Sequence, residues 1–189
     1  MLGPWDVSLF RWINSGWSSP ILDPVFWFFS LGIKETYFRI GLGILFVVLL
    51  FLGARLRGTA ILALLSFPLA NELSDLFKNG FPALRPFSQL ADVVVLGSPM
   101  TSSGTMSAHA ANMATIATVF WIRAGWKWGL PWAIVALLTG VSRVYVGAHY
   151  PSQVIVGWTG GIVSGMVVAF TWRAIRDLRK KKKISSSDA

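Results

Sequence analysis

The sequence predicts an all-α fold, a polytopic membrane helix bundle of about six transmembrane helices. Three observations predict it. Of 189 residues, 54% are apolar and only 13% charged, with a mean hydropathy of +0.60; a soluble domain carries about 25% charged and about 45–50% apolar residues. Apolar runs of the roughly 17–25 residues that cross a hydrocarbon core as helix recur along the chain. The basic residues are concentrated after the last of these runs, with seven Lys and Arg between Arg173 and Lys183, ending in RKKKK. So little charge cannot cover a soluble globule, so much aromatic surface excludes disorder, and the absence of Cys excludes a disulfide scaffold.

Taken in order, Val7 to Ile13 reads as an interfacial helix, and Pro20 to Leu31, short and containing Asp23, as a first span. Thr36 to Ala54, Gly58 to Phe77, Trp128 to Gly147 and Val154 to Trp172 are clear spans. Met106 to Ile122 is more polar at its start but lengthens into SAHAANMATIATVFWI, an Ala-rich helix former. Gly157, Gly160, Gly161 and Gly165 give the final span the small-residue spacing of close helix packing. Trp128, Trp132 and Trp172 fit an interfacial aromatic belt. Asn14, Asp23 and Asn71 read as structural polar groups that cap helices or bond between them. Between Lys78 and Thr105 runs the one long loop, rich in Pro, Gly and Ser, and long ordered loops carry function. Residues 1–177 read as a single integral-membrane domain and 178–189 as a basic cytoplasmic tail without fixed structure.

The formal charge of +9 would raise nucleic acid in a soluble protein; here the position of the charge points to the membrane. A juxtamembrane basic cluster is a cytoplasmic anchor that meets anionic lipids. With that tail inside, the Arg55/Arg57 and Arg123/Lys127 turns are inside too, and counting Arg11 with them puts twelve Lys and Arg on the cytoplasmic side and five on the other. The first residues lack a basic leader and a cleavage site, so the spans themselves direct insertion.

The outer group is the informative one. Lys78, Arg85 and Arg143 gain nothing as topology signals there, and both histidines of the chain, His109 and His149, lie at the same depth. Each alone could snorkel to the headgroups. Together, three cations without matching acids form a site for a multiply charged anion, with phosphate the obvious choice, and two imidazoles supply a nucleophile and a proton donor.

The residues fall into three blocks: KNGFPALRP, with Lys78 and then Arg85-Pro86; MSAH, with Ser107 and His109; and SRVYVGAH, with Ser142-Arg143 and His149. This resembles the type 2 phosphatidic acid phosphatase (PAP2) superfamily, whose pattern is K-x6-R-P, P-S-G-H and S-R-x5-H-x3-D. The resemblance runs from Lys78 to Gln153. It implies that His149 attacks phosphorus to give a phosphohistidine and that His109 protonates the leaving oxygen and then activates water. It also implies that Lys78, Arg85 and Arg143 hold the phosphoryl oxygens, with Ser107 and the backbone at Ala108 helping from a helix N-terminus, while Ser142 and Gln153 support from behind. Such chemistry calls for no metal and no other cofactor. Two positions depart from the pattern: Ala108 replaces its Gly, and Gln153 replaces its Asp. A Gln oxygen still accepts from Nδ1 but brings no charge, so a slower enzyme is expected.

The implied activity is dephosphorylation of a lipid phosphate or diphosphate at the periplasmic face of a bacterial inner membrane, on a polyprenyl diphosphate, phosphatidate, phosphatidylglycerophosphate or lipid A type substrate. A lipid phosphotransferase of the same fold, or a weakened lipid-phosphate binder or transporter, would carry the same cationic site.

Overall fold

The computed structural model describes residues 3–32, 35–97 and 102–185. Every regular element among them is helical. The elements are α1 (Pro4–Asn14), α2 (Leu22–Leu31), α3 (Thr36–Phe51), α4 (Ala54–Leu65), α5 (Phe67–Gly80), the single turn α6 (Pro86–Gln89), α7 (Ala108–Ala124), α8 (Trp126–Tyr145) and α9 (Pro151–Ser185).

α7 is the hub, packed mainly on α8 and α9 and more lightly on α4 and α5. In lipid no hydrophobic force drives apolar helices together, so close packing must do so. α9 supplies the flat face for it. A Cβ on Gly161 would lie 2.2 Å from the Ala111 carbonyl oxygen, and one on Gly157 would lie 2.6 Å from that of Ser107. The close approach lets Thr115 donate to the Gly161 carbonyl at 2.9 Å, a class of bond worth about 0.6 kcal/mol on average in membranes. The glycine stripe therefore packs, as its spacing predicts.

The span expected over Gly58 to Phe77 is longer and interrupted. Residues 54–80 form one apolar stretch, long enough to cross a bilayer, interrupted at Ser66 because Pro68 brings no N–H to the ladder. Residues 151–185 are likewise long and apolar enough to span. Residues 178–185, expected to be unstructured, continue α9 as helix to Ser185; residues 186–189 lie outside the described residues.

The first expected span departs more. α2 has ten residues, a rise of about 15 Å against a hydrocarbon core of about 30 Å. Asp23, near its start, accepts from the Tyr145 hydroxyl at 2.6 Å, and Ser30, near its end, accepts from Arg143 at 2.5 Å. Both ends of α2 thus rest on the last turn of α8. An apolar run of this length satisfies a hydropathy reading equally well when it leans on one end of a bundle.

The two ends of the bundle differ chemically. At one, Arg55 donates to the Arg123 carbonyl at 2.6 Å, and the Arg123 guanidinium stands 5.8 Å from the Trp172 ring, where the basic stretch begins. At the other gather the long loop, the α8–α9 turn and α1. Arg11 belongs there, bonded to Asp92 at 3.0 Å, and not with the basic tail as expected.

Candidate active site

The α8–α9 turn is built for closeness. Gly147 has φ +79, a left-handed conformation that suits a residue without Cβ, and a Cβ there would meet Val93 and the Val94 carbonyl oxygen at 2.8 Å. The chain then passes through His149 and re-enters helix at Pro151, whose missing N–H is no loss at a helix start.

His149 is 3% exposed and is bonded at both ring nitrogens. Arg85 Nη1 lies 3.0 Å from Nε2. A guanidinium only donates, so Nε2 is the unprotonated nitrogen and Nδ1 carries the hydrogen. Nδ1 donates to the Gly104 carbonyl at 3.1 Å and to Gln153 Oε1 at 3.2 Å. The Gln153 amide is itself fixed, accepting from Tyr150 N at 3.1 Å and donating to the Leu84 carbonyl at 3.1 Å. Burial, followed by the fields of Arg143 and Arg85, pushes the His149 pKa well below the usual histidine value.

Arg85 is held as tightly. It donates from Nε to the Ser102 carbonyl at 2.7 Å, from Nη2 to Ser102 Oγ at 3.0 Å and to the Ser103 carbonyl at 3.2 Å, and from Nη1 to the Ala148 carbonyl at 2.9 Å. The long loop and the α8–α9 turn are therefore joined through one side chain.

The other expected residues make contacts of their own. Arg143, fully buried in the last turn of α8, bonds Ser30. Ser107 caps α7, accepting from Ala110 N at 3.4 Å, and its own N–H donates to the Gln153 carbonyl at 3.1 Å, so the start of α7 is tied to the start of α9. Lys78, in the last turn of α5, has a side chain 16% exposed and pairs with Asp75 at 3.0 Å. Ser142 spends its hydroxyl on the Thr139 carbonyl at 2.6 Å, inside α8. Asp92, in the long loop, accepts from Arg11 at 3.2 Å.

His109 and Ala108 open onto a cavity of about 610 Å³ between α2, α3, α5, α7 and α8. Its walls are almost wholly apolar, including Phe28, Phe38, Leu45, Met113 and Val135. From Thr139 to Trp128 the lining runs about 16 Å along α8 at the helical rise. Trp128 and Trp132, read from sequence as belt residues, form its far wall. Asn71 and Asn112 also line it and are joined by a 2.9 Å hydrogen bond between α5 and α7, the interhelical role expected of Asn71.

Gly104 escaped the sequence reading. It offers a backbone carbonyl to His149, and a Cβ on it would stand 2.9 Å from Arg85 Cγ and 3.0 Å from the Gln153 amide. Among the described residues no group of three or more His, Cys, Asp or Glu gathers as a metal site.

The chain is 36% identical over 114 residues to an undecaprenyl-diphosphatase of Sulfolobus acidocaldarius, a match covering 60% of this chain and 55% of that protein; it thus spans little more than half the length of that relative. The crystal structure of Aquifex aeolicus LpxE superposes with a TM-score of 0.74 at 28% identity, covering 88% of this chain and 95% of that one. The structure of a transmembrane PAP2 type phosphatidylglycerolphosphate phosphatase from Bacillus subtilis shares the fold, with a TM-score of 0.68 at 21% identity over 92% and 89% of the two chains. The model of the PAP2 superfamily matches residues 58–179, and the chain is an all-helical integral membrane protein belonging to that superfamily.

Proposed function

We propose that this protein is a lipid phosphatase that hydrolyses a lipid phosphate or diphosphate through a phosphohistidine at His149. The observation that carries the reading is the fixed tautomer of His149: its Nε2 lone pair faces the Arg85 guanidinium while its Nδ1 hydrogen is bonded away from the site.

In the first step Nε2 attacks phosphorus. An N–P bond forms as the bond from phosphorus to the lipid oxygen breaks, and His109 gives that oxygen a proton. Nδ1 keeps its hydrogen, so the phosphoimidazole is cationic, with its charge facing the Gly104 and Gln153 oxygens. In the second step His109 takes a proton from water, the water oxygen bonds phosphorus, the N–P bond breaks and inorganic phosphate leaves. Arg85, Arg143 and Lys78 bind the phosphoryl oxygens, and Ser107 with the Ala108 backbone adds donors at the start of α7. Arg85 must release Nε2 as phosphate arrives, exchanging one acceptor for another.

The apolar cavity beside His109 suits a long hydrocarbon tail that enters between helices from the bilayer. The Sulfolobus relative favours a polyprenyl diphosphate within this substrate class. The chain crosses the membrane through α3, the interrupted α4–α5, α7, α8 and α9, five crossings, with α2 resting at the site's end. The site faces the periplasmic side and the basic end of α9 meets anionic lipid on the cytoplasmic side. The neutral amide at Gln153 favours, as a second reading, a site that binds lipid phosphate with little turnover.

Phosphate release in detergent, with EDTA, across polyprenyl diphosphate, phosphatidate, phosphatidylglycerophosphate and lipid A tests the proposal. Release on one lipid, abolished in His149→Ala, is the expected result. Binding without release on any lipid would support the second reading, and release only with an acceptor lipid would make the protein a transferase.

A further inference from the structure

α1 carries a buried carboxylate that the chemistry above does not use. Asp6 is fully buried. Its Oδ1 accepts from Ser152 N at 2.9 Å and its Oδ2 from Ser152 Oγ at 2.5 Å. Pro151 has no N–H, so the Ser152 amide is the first donor at the start of α9 that needs a partner. Asp6 therefore caps α9 from another helix.

The turn so capped holds the imidazole. Gln153, the next residue, bonds His149 Nδ1 and Tyr150 N. The rest of the inner face of α1 closes on the same segment. The Phe10 ring packs on Tyr150 with centroids 5.4 Å apart, and Asn14, fully buried, donates to the Val94 and Tyr145 carbonyls at 2.7 Å each. The strap thus touches both loops that meet at Arg85.

We infer that Asp6 is a positioning residue for phosphoryl transfer, fixing the first turn of α9 and through it the attack orientation of His149. The inference rests on the reading of His149 as nucleophile. Asp6 touches no reacting atom, so its loss affects the chemical step and leaves lipid binding in place.

The test is steady-state kinetics in detergent on the lipid that the full-length protein turns over, with His149→Ala in parallel. Asp6→Ala lowers kcat by about 10- to 100-fold, the scale of a small misplacement, with KM within about threefold. Asp6→Asn, whose carbonyl accepts from Ser152 N and whose amide donates to Ser152 Oγ, recovers most of kcat. Ser152→Ala removes only the Oγ contact and lowers kcat less, and it adds nothing when combined with Asp6→Ala, which already removes that contact. Wild-type kcat in Asp6→Ala beside an inactive His149→Ala overturns the positioning role alone; an active His149→Ala overturns the nucleophile first. If Asp6→Ala cannot be recovered as a monodisperse species, Ser152→Ala decides: reduced kcat at unchanged KM supports the inference, and unchanged kcat, or a rise in KM alone, overturns it.

Discussion

Arg85 donates a hydrogen bond to His149, Nη1 to Nε2 at 3.0 Å, at the nitrogen proposed to attack phosphorus. One contact fixes the tautomer, sets a cation beside Nε2 and discourages its protonation.

That contact has a consequence for pH. Burial, Arg143 and Arg85 together depress the His149 pKa, so the acidic limb of kcat/KM falls below the usual histidine range, about 6.5. The same shift works on stability. Between the usual value and the depressed one the unfolded chain binds the proton and the folded chain does not, so stability is lost as pH falls below about 6.5. Thermal unfolding in detergent from pH 8 to pH 5 should show this slope, flattened in His149→Gln; an acidic limb at or above the usual value would contradict the assignment.

Gln153 holds Nδ1 with a neutral oxygen 3.2 Å away. Gln153→Asp places a carboxylate beside the proposed cationic phosphoimidazole, and kcat should rise about tenfold or more, a fraction of what such carboxylates contribute in triads. The gain is moderated because Asp is shorter and gives up the donation to the Leu84 carbonyl. Single-turnover rates check this, and an unchanged or lower rate would show that the amide already suffices.

Gly104 leaves no room for a side chain between Arg85 and Gln153. Gly104→Ala should lower kcat/KM by about 100-fold, since displacing either neighbour misplaces the imidazole by a fraction of an ångström or more. The folded state should survive, because the position lies in a loop. Kinetics paired with thermal unfolding separates the two effects.

Much of the site was legible because its cations and imidazoles are chemically out of place at an apolar boundary. The spacing from Lys78 to Arg85, and from Arg143 to His149, located both ends of the Arg85–His149 contact. Gly104 was hidden because it acts through its carbonyl, which any residue possesses. Asp6 was hidden because its partner lies at the far end of the sequence, on another helix. For α2, composition reports that a segment avoids water; its ten-residue length and the contacts of Asp23 and Ser30 with α8 emerge only in the fold. Trp128 and Trp132 sit near the end of an apolar run in sequence, as belt residues do, and only the placement of α3 opposite α8 makes them a cavity wall.

The proposed covalent step lies at His149. Its most direct measurement is acid-free quenching of the protein with labelled lipid phosphate, followed by peptide mapping under alkaline conditions. A phosphoryl group on Nε2 of His149, absent in His149→Ala and discharged to inorganic phosphate on chase, is the predicted result. Turnover with no label on the protein at any time point, or label on His109 instead, would contradict it.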